Sequence, residues 1–525
     1  MPVDPQSELE NLRSTVRRLA DLLDLANGEL ALAHDELKRK DRIIAGLQQR
    51  IFGSSSEKLD PNQLQFDLDA LILGKPAPAA QGDAKAKPRA TTTRRTKEER
   101  FPKNLKVVID QIIIPEEVAA NPDAYQEIGE VYHDEIDVTK GELFWRRQIC
   151  KKFVLKDDAS QPPIIAPAPL SSIPGTLLAP TLAAQIITDK FADHLPHYRQ
   201  SHRFRRRHGA DIGRQTLNTW THAIARHLIF IGHAILLELR LAGILQIDET
   251  PIDYLSPGHG STKQGYLWVY HDPATGNCYY DWHAGRGHDS MFELLGYDAE
   301  SHTIEFEGTI QCDGFSAYTA LANRFAGVTL GGCLAHLRRG FVEAKNAAPE
   351  TTLPVLLAIQ RLYLIETQMR QTAAPPACRE LIRRSRSLPL AEGLHELLLA
   401  VRAKHLPQGD IGQAVGYALN QWDKIMVCLK SGVMALDNNA VENLVRPTKL
   451  GMRNWMFFGS LEAGKNNALL YTLMANCRQQ SLDPEAYLTE VFQRLPHHPT
   501  LAQAAALTPA RLAAERLAAQ TAEVA

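Results

Sequence analysis

Over the first fifty residues, apolar side chains recur at alternating steps of three and four. The seam runs Leu9, Leu12, Val16, Leu19, Leu23, Ala26, Leu30, Ala33, Leu37, then Lys40, Ile44, Leu47 and Ile51, with charges crowding the positions between. Such a repeat predicts a leucine-zipper-like coiled coil over residues 7–52, and a long helix docked along another surface is the plainer reading. A coiled coil implies a homo-oligomer or a helical partner. "FGSSSEKLD" then breaks the pattern. Residues 74–104, rich in Ala, Pro, Thr, Lys and Arg, read as a basic linker.

Farther along, the period changes repeatedly. Residues 105–170 hold short β-like runs ("VVIDQIIIP", "ELFWRRQICKKFVL") and predict a small β-containing module, closed by a Pro-rich connection. Residues 177–240 read as helical, with an Arg-rich helix, the turn "ADIG" and a second helix opening at "RQTLNTW". That arrangement resembles a helix-turn-helix presenting Arg214, Gln215, Thr216, Asn218 and Thr219 to a groove, although helical hairpins that merely pack are common. Residues 244–346 alternate: three strands, helix, strand, helix, strand, the order of an RNase H-like domain. Residues 349–435 predict a helical insertion, 436–496 the second part of that domain, and 497–525 an Ala-rich helical tail. The predicted class is α+β multidomain.

Composition narrows the function. Hydrophobic content of 44% with 22% charged residues is ordinary for a soluble protein. No run of about 18 apolar residues stands out as a membrane span, and the polar start "MPVDPQSELENL" does not read as a signal peptide. Seven scattered cysteines without a Cys-x-x-Cys pair predict reduced thiols in a cytoplasm. A net charge of −2 argues mildly against nucleic acid, but the average hides local bias. Lys75 to Lys106 holds ten Lys/Arg against three acids, and Lys190 to Arg214 seven against two. Local patches are the footprint of a DNA binder, solvated surface being the bland reading. The candidate contacts are Arg94, Arg95, Arg199, Arg203, Arg205, Arg206, Arg207, Arg214, Gln215 and Asn218.

The chemistry lies in "GILQIDETPIDYL", where Asp248 and Glu249 interrupt an apolar strand. A carboxylate there is expensive unless a cation faces it. Asp313 is expected at the end of the fourth strand, a neighbour of the first in that strand order. Glu442 follows Asp437, a good N-cap, on the first turns of a helix, with Arg446 placed to pair with it or to reach a phosphate. Three hard oxygen ligands suit Mg²⁺, and two such ions can clamp a phosphoryl displacement. Strand-end acids without a metal are the simpler alternative. In "CLAHLRR", Cys333 and His336 lack a second pair for a zinc site, so His336 is read as an active-site neighbour or a core histidine.

Taken together, "FGSSSEKL", "LPHYRQ", "TLNTW", "QIDETPI", "GYLWVY", "CDGFSAY", "CLAHLRRGF", "DNNAVENLVRP" and "RNWMFFGS" resemble the transposases of the insertion-sequence-66 family, of the DDE group, nearly end to end. The resemblance implies that Asp248, Asp313 and Glu442 are catalytic acids and metal ligands, for two Mg (or Mn) ions. Glu249 and Asp437 are the rival choices. Cys333, His336, Arg339, Asn439, Arg446 and Arg453 are the expected neighbours. It implies binding of terminal inverted repeats, cleavage of the 3′ ends and joining to target DNA, with accessory proteins of the same element as further partners. A nuclease without strand transfer and a catalytically inactive DNA-binding relative are the competing functions. The family's small zinc element with two Cys-x-x-Cys pairs falls near residues 120–165, where only Cys150 stands, so no zinc is expected.

Overall fold

A five-stranded sheet carries the site: β1 (Ile244–Leu255), β2 (Thr262–His271), β3 (Cys278–His283), β4 (Gly308–Gln311) and β5 (Val328–Gly331). The strand order is β3-β2-β1-β4-β5. β1 and β3 are antiparallel to β2, whereas β4 is parallel to both β1 and β5. These come from a computed structural model that describes residues 171–524 except 257, 259, 346 and 347, together with 141, 143, 144, 152, 153, 164 and 165. The predicted coiled coil, the basic linker and nearly all of the 105–170 module lie outside the described residues. Arg94, Arg95 and the leucine seam lie outside them too.

The middle of the sheet is apolar on both faces. Leu267, Trp268, Val269 and Tyr270 of β2 are all fully buried, a continuous run instead of an alternation, as a strand covered on both sides requires. Edge strand β3 would expose unpaired backbone groups. The helix α12 (Leu461–Gln479, numbered after those below) covers them with side chains. Asn476 accepts from the Cys278 N–H at 3.1 Å and donates to its carbonyl at 2.7 Å, and Thr472 accepts from the Tyr280 N–H at 2.9 Å.

Helices α1 (Pro180–Phe191), α2 (His197–His208) and α3 (Arg214–Arg240) precede the sheet. α2 stops at Gly209, which takes the left-handed conformation at φ 65° and bonds back to Arg205 and Phe204. These helices were expected to form a region apart from the catalytic domain. Instead Phe204, Leu217, Ile224 and Leu228 join one continuous core with Leu245, Ile247 and Trp268. α3 is the exception to the absence of a long apolar run, for by length and composition it could span a bilayer. Its apolar residues serve the core instead, with Ile231, Ile235 and Leu239 fully buried.

After the short helix Phe292–Leu295, α4 (Ser316–Arg324) makes the crossover between β4 and β5 that parallel pairing needs. α5 (Leu334–Ala344) leaves β5, and five helices follow: α6 (Pro349–Gln371), α7 (Pro376–Ile382), α8 (Leu388–Arg402), α9 (Asp410–Asn420) and α10 (Trp422–Lys430). α6, α8, α9 and α10 share a second core cluster with α5. The chain then returns to the sheet through α11 (Asn439–Trp455), α12 and α13 (Pro484–Arg494), and ends in α14 (Leu501–Ala505) and α15 (Pro509–Val524). All six cysteines among the described residues are free thiols.

Candidate active site

Parallel pairing of β1 with β4 matches Gln246 to Gln311 and stops there. Asp248 and Asp313 each lie two residues past that last pair, so they stand at the same level where the two chains part. The C-terminal edge of parallel strands is the usual place for a ligand site in such sheets. β4 ends at Gln311, so Asp313 sits in the following loop, beyond the strand it was expected to close. Its Oδ1 accepts the Phe315 N–H at 2.9 Å, which fixes the loop. Gly314 is required here, because a Cβ would lie 2.7 Å from the Tyr417 ring of α9.

Glu442 arrives on the first turn of α11. The N-cap of this helix is Asn438 and not Asp437, whose Oδ1 instead accepts the Asn439 N–H at 3.2 Å. Asn438 is fully buried and donates from Nδ2 to the Ile247 carbonyl at 3.0 Å, tying the start of α11 to the residue before Asp248. Gln246 and Gln311 extend this seam. Gln246 Nε2 donates to Gln311 Oε1 at 2.8 Å and to the Asp437 carbonyl at 3.3 Å, and Gln311 Nε2 donates to the Ala435 carbonyl at 2.9 Å. His271 Nδ1 pairs with Gln246 Oε1 at 3.0 Å, and burial lowers its pKa. Two strands and the approach to α11 are thus bonded through buried amides.

The carboxylates of the two adjacent strand residues part company. Glu249 is nearly fully buried but satisfied: Arg286 donates to it from Nε at 3.0 Å, and the Tyr318 hydroxyl donates at 2.6 Å. Among the described residues Asp248 has no side-chain donor of this kind, only the Glu249 backbone N–H. Burial, then the negative charges of Glu249, Glu442 and Asp313, push its carboxyl from 3.8 up to about 7. Lys449 of α11 is the cation that feels Asp248; burial lowers its pKa while Asp248 raises it, and its ammonium donates to the Pro251 carbonyl at 3.0 Å.

Of the two roles open to Arg446, pairing with Glu442 does not occur among the described residues, and its exposed side chain leaves the phosphate role open. Glu442 faces His336 instead, with Oε1 at 3.7 Å from Nδ1, and Arg339 at 4.0 Å. Both Glu442 Oε1 and His336 Nδ1 are buried without a hydrogen-bond partner. A carboxylate oxygen without a donor in a cluster of acids has the chemistry of a hard-cation ligand. Cys333, His336 and Glu442 also bring ligand atoms within 4.8 Å of one another, close enough to share an ion. The Cys333 thiol already has a structural use, accepting the Asn438 N–H at 3.3 Å, and burial pushes its pKa up to about 12. Asn439, Arg446 and Arg453 are exposed on α11.

Asn438, Gln246, Gln311, Arg286, Tyr318 and Lys449 are residues that sequence reading passed over. Only Lys449 left a signal, its spacing of seven from Glu442 on one helix face. Of the basic candidates, Arg205, Arg206, Arg207, Arg214, Gln215 and Asn218 are exposed on α2 and the first turns of α3. Arg203 is not free for a phosphate, since it donates to Asp189 at 2.8 Å and is partly buried. Arg199 bonds Asn454 of α11 at 3.1 Å.

Comparison with known proteins gives the same direction. Residues 175–466 match the profile of the transposase IS66 family, residues 472–510 the IS66 C-terminal element, and residues 41–109 a profile described as the transposase C of IS166 homeodomain. Uncharacterized protein y4jD of Sinorhizobium fredii is 30% identical over 478 residues, covering 86% of this chain and 90% of the relative. Its neighbours y4qI and y4hP of the same organism are 29% and 30% identical, over 61% and 62% of their own lengths. The family profile spans more than half of the chain and includes the strands and helix that carry all three acids, so this chain belongs to the IS66 family of transposases.

Proposed function

We propose that the chain is a DDE transposase that binds the terminal inverted repeats of an insertion sequence, cuts the phosphodiester at the 3′ ends and joins the freed ends to target DNA. The observation that carries this is the convergence of charge on Asp248: Asp313 and Glu442, distant in sequence, both act on it. The strand order and the parallel β1–β4 pairing support an RNase H-like reading of the sheet. Asp248, Asp313 and Glu442 are the metal ligands in this reading, and their all-oxygen donor set, with the orphaned Glu442 oxygen, fits Mg²⁺ or Mn²⁺. A pair of such ions would activate the attacking oxygen and neutralise the leaving one.

The chain's own residues do the rest. Asp248 must be ionised to bind a cation, and Lys449 beside it favours that form. His336 and Arg339 approach Glu442 from the side of α5, at 3.7 and 4.0 Å. Glu249, engaged by Arg286 and Tyr318, stiffens β1 without taking part. Self-association through residues 7–52 would bring two ends together. The deciding experiment is Mg²⁺-dependent cleavage of end DNA, followed by joining to a supercoiled plasmid. Asp248→Asn, Asp313→Asn and Glu442→Gln should each abolish cleavage and leave end binding nearly intact. Normal cutting by all three would refute the reading, and cutting without joining would reduce it to a nuclease.

A further inference from the structure

α11 ends in an unusual way. Met456 has φ 65° and ψ −49°, and the Phe457 N–H bonds the Trp455 carbonyl at 2.8 Å. That is a left-handed γ-turn, a strained conformation for a residue with a side chain. The strain is imposed from both sides. The Met456 N–H still closes the helix on Met452 at 2.7 Å, and Phe458 pairs with β1, donating to the Asp253 carbonyl and accepting from Leu255 at 2.9 Å each. The Phe458 ring is buried against Trp282 and Trp455, with centroids at 4.9 and 4.8 Å. A turn so anchored cannot relax, and it holds Met456 68% and Phe457 36% exposed. Two large apolar side chains on a rigid, strained projection would lower the free energy if buried.

Their surroundings identify the occupant. Glu442, Arg446, Lys449, Arg453 and Met456 follow each other at steps of four, three, four and three, which puts them on one face of α11. That face starts at a candidate catalytic acid, continues through three cations and ends at the apolar projection about 21 Å away. Asn454 receives the Arg199 guanidinium of α2 at 3.1 Å, which adds one further cation two residues from the projection. A row of cations matches a phosphate backbone, and apolar side chains among cations match base faces, because proteins kink duplexes by inserting such wedges between base steps.

We propose that Met456 and Phe457 form a wedge that enters the base stack of DNA lying along α11, unstacking one step while Arg446, Lys449 and Arg453 hold the backbone. The wedge rests on the transposase reading. It sets the register of the duplex relative to Asp248, Asp313 and Glu442, so that one phosphate reaches the acids.

The test uses the full chain and a duplex bearing the element's terminal repeat, with 2-aminopurine at successive positions from the cut. Wild type should raise the fluorescence at one step. Met456→Gly, which also relieves the left-handed strain, and Phe457→Ala should each reduce the rise several-fold, and together abolish it. The slope of log affinity against log salt should stay unchanged, since no phosphate contact is removed. Arg453→Ala should behave conversely, keeping the rise and lowering the slope by about 1. A wild-type protein that cuts while 2-aminopurine stays quenched at every position overturns the wedge alone. So does a rise that persists in the double variant, or a double variant that changes only the oligomeric mass, which would make the projection a protein interface. A wild type that neither binds nor cuts the duplex overturns the transposase reading and the wedge with it.

Discussion

Asp248→Asn should stabilise the metal-free protein at neutral and alkaline pH, and the pH dependence of that gain tests the electrostatics of the site. In the folded chain the Asp248 carboxyl sits at about 7, against 3.8 as the ordinary value. Between those values the folded state binds a proton that the unfolded chain has released. Stability from this group is therefore fully present below about 4, falls as pH rises, and is lost above about 7. At about 1.4 kcal/mol per tenfold change in acidity, the full penalty is roughly 4 kcal/mol. Asn carries no such penalty. In the presence of a chelator, the variant should exceed wild type by up to roughly 4 kcal/mol at pH 8, several degrees in Tm, and the gap should close toward pH 4. Subtracting wild type from variant cancels the titrating groups remote from the site and leaves Asp248 with the acids coupled to it. Added Mg²⁺ should raise the Tm of wild type at pH 8 and leave the variant unmoved, because only the ionised site binds it. Scanning calorimetry across pH 4 to 8.5 reads both effects. A gap that does not change with pH, or a wild type more stable than the variant at pH 8 without metal, would refute the reasoning.

Glu249→Gln should retain Mg²⁺-dependent cleavage but lose about 1–3 kcal/mol of stability, because it weakens the bonds to Arg286 and Tyr318 in a buried position; a dead, fully stable variant would reverse the assignment of the first ligand. Arg205→Ala, Arg206→Ala and Arg207→Ala together should lower the salt slope of end binding by up to about 3, whereas Arg203→Ala should lower Tm instead, since it removes the partner of Asp189. Charged residues at Leu23 and Leu30 should shift the protein to lower oligomers by light scattering, and unchanged mass would sink the coiled coil.

What the sequence made legible follows physical periodicity. The long helices and the strands around "QIDETPI" and "GYLWVY" were readable because apolar runs of strand length with flanking turns have few alternatives. The Asp248–Asp313 juxtaposition was readable because the strand order makes β1 and β4 neighbours. Boundaries set by single hydrogen bonds were not. Asp437 read as a good cap, yet Asn438 holds the position, and its side-chain amide donates to the Ile247 carbonyl, which a carboxylate cannot do. Arg446 looked the natural partner of Glu442 by spacing along one helix. Spacing within α11 carries no information about α5, which brings His336 and Arg339 from outside.

The two acids of the "DET" motif, alike in sequence, meet different surroundings in the structure. Adjacent strand residues point to opposite faces, so one face of β1 takes Asp248 and the other Glu249. Each face then sets the chemistry of its own acid. On the Glu249 side, Arg286 stacks over the Phe315 ring at 3.8 Å and reaches Glu249, while Tyr318 closes from α4; every strong acceptor position meets a donor. On the Asp248 side, Gln246 gives its amide donors to Gln311 and the Asp437 carbonyl, and Gln311 gives its own to the Gly332 and Ala435 carbonyls, so neither amide serves the carboxylate, which keeps the Glu249 backbone N–H. Two more acids face it instead. A fold that buries one carboxylate with only a backbone donor, beside a twin paired to Arg286, and joins its neighbours by buried amides, pays for that arrangement in stability. Lys449 offsets part of that cost, and in the proposed reading a cation bound at the three acids would supply the rest.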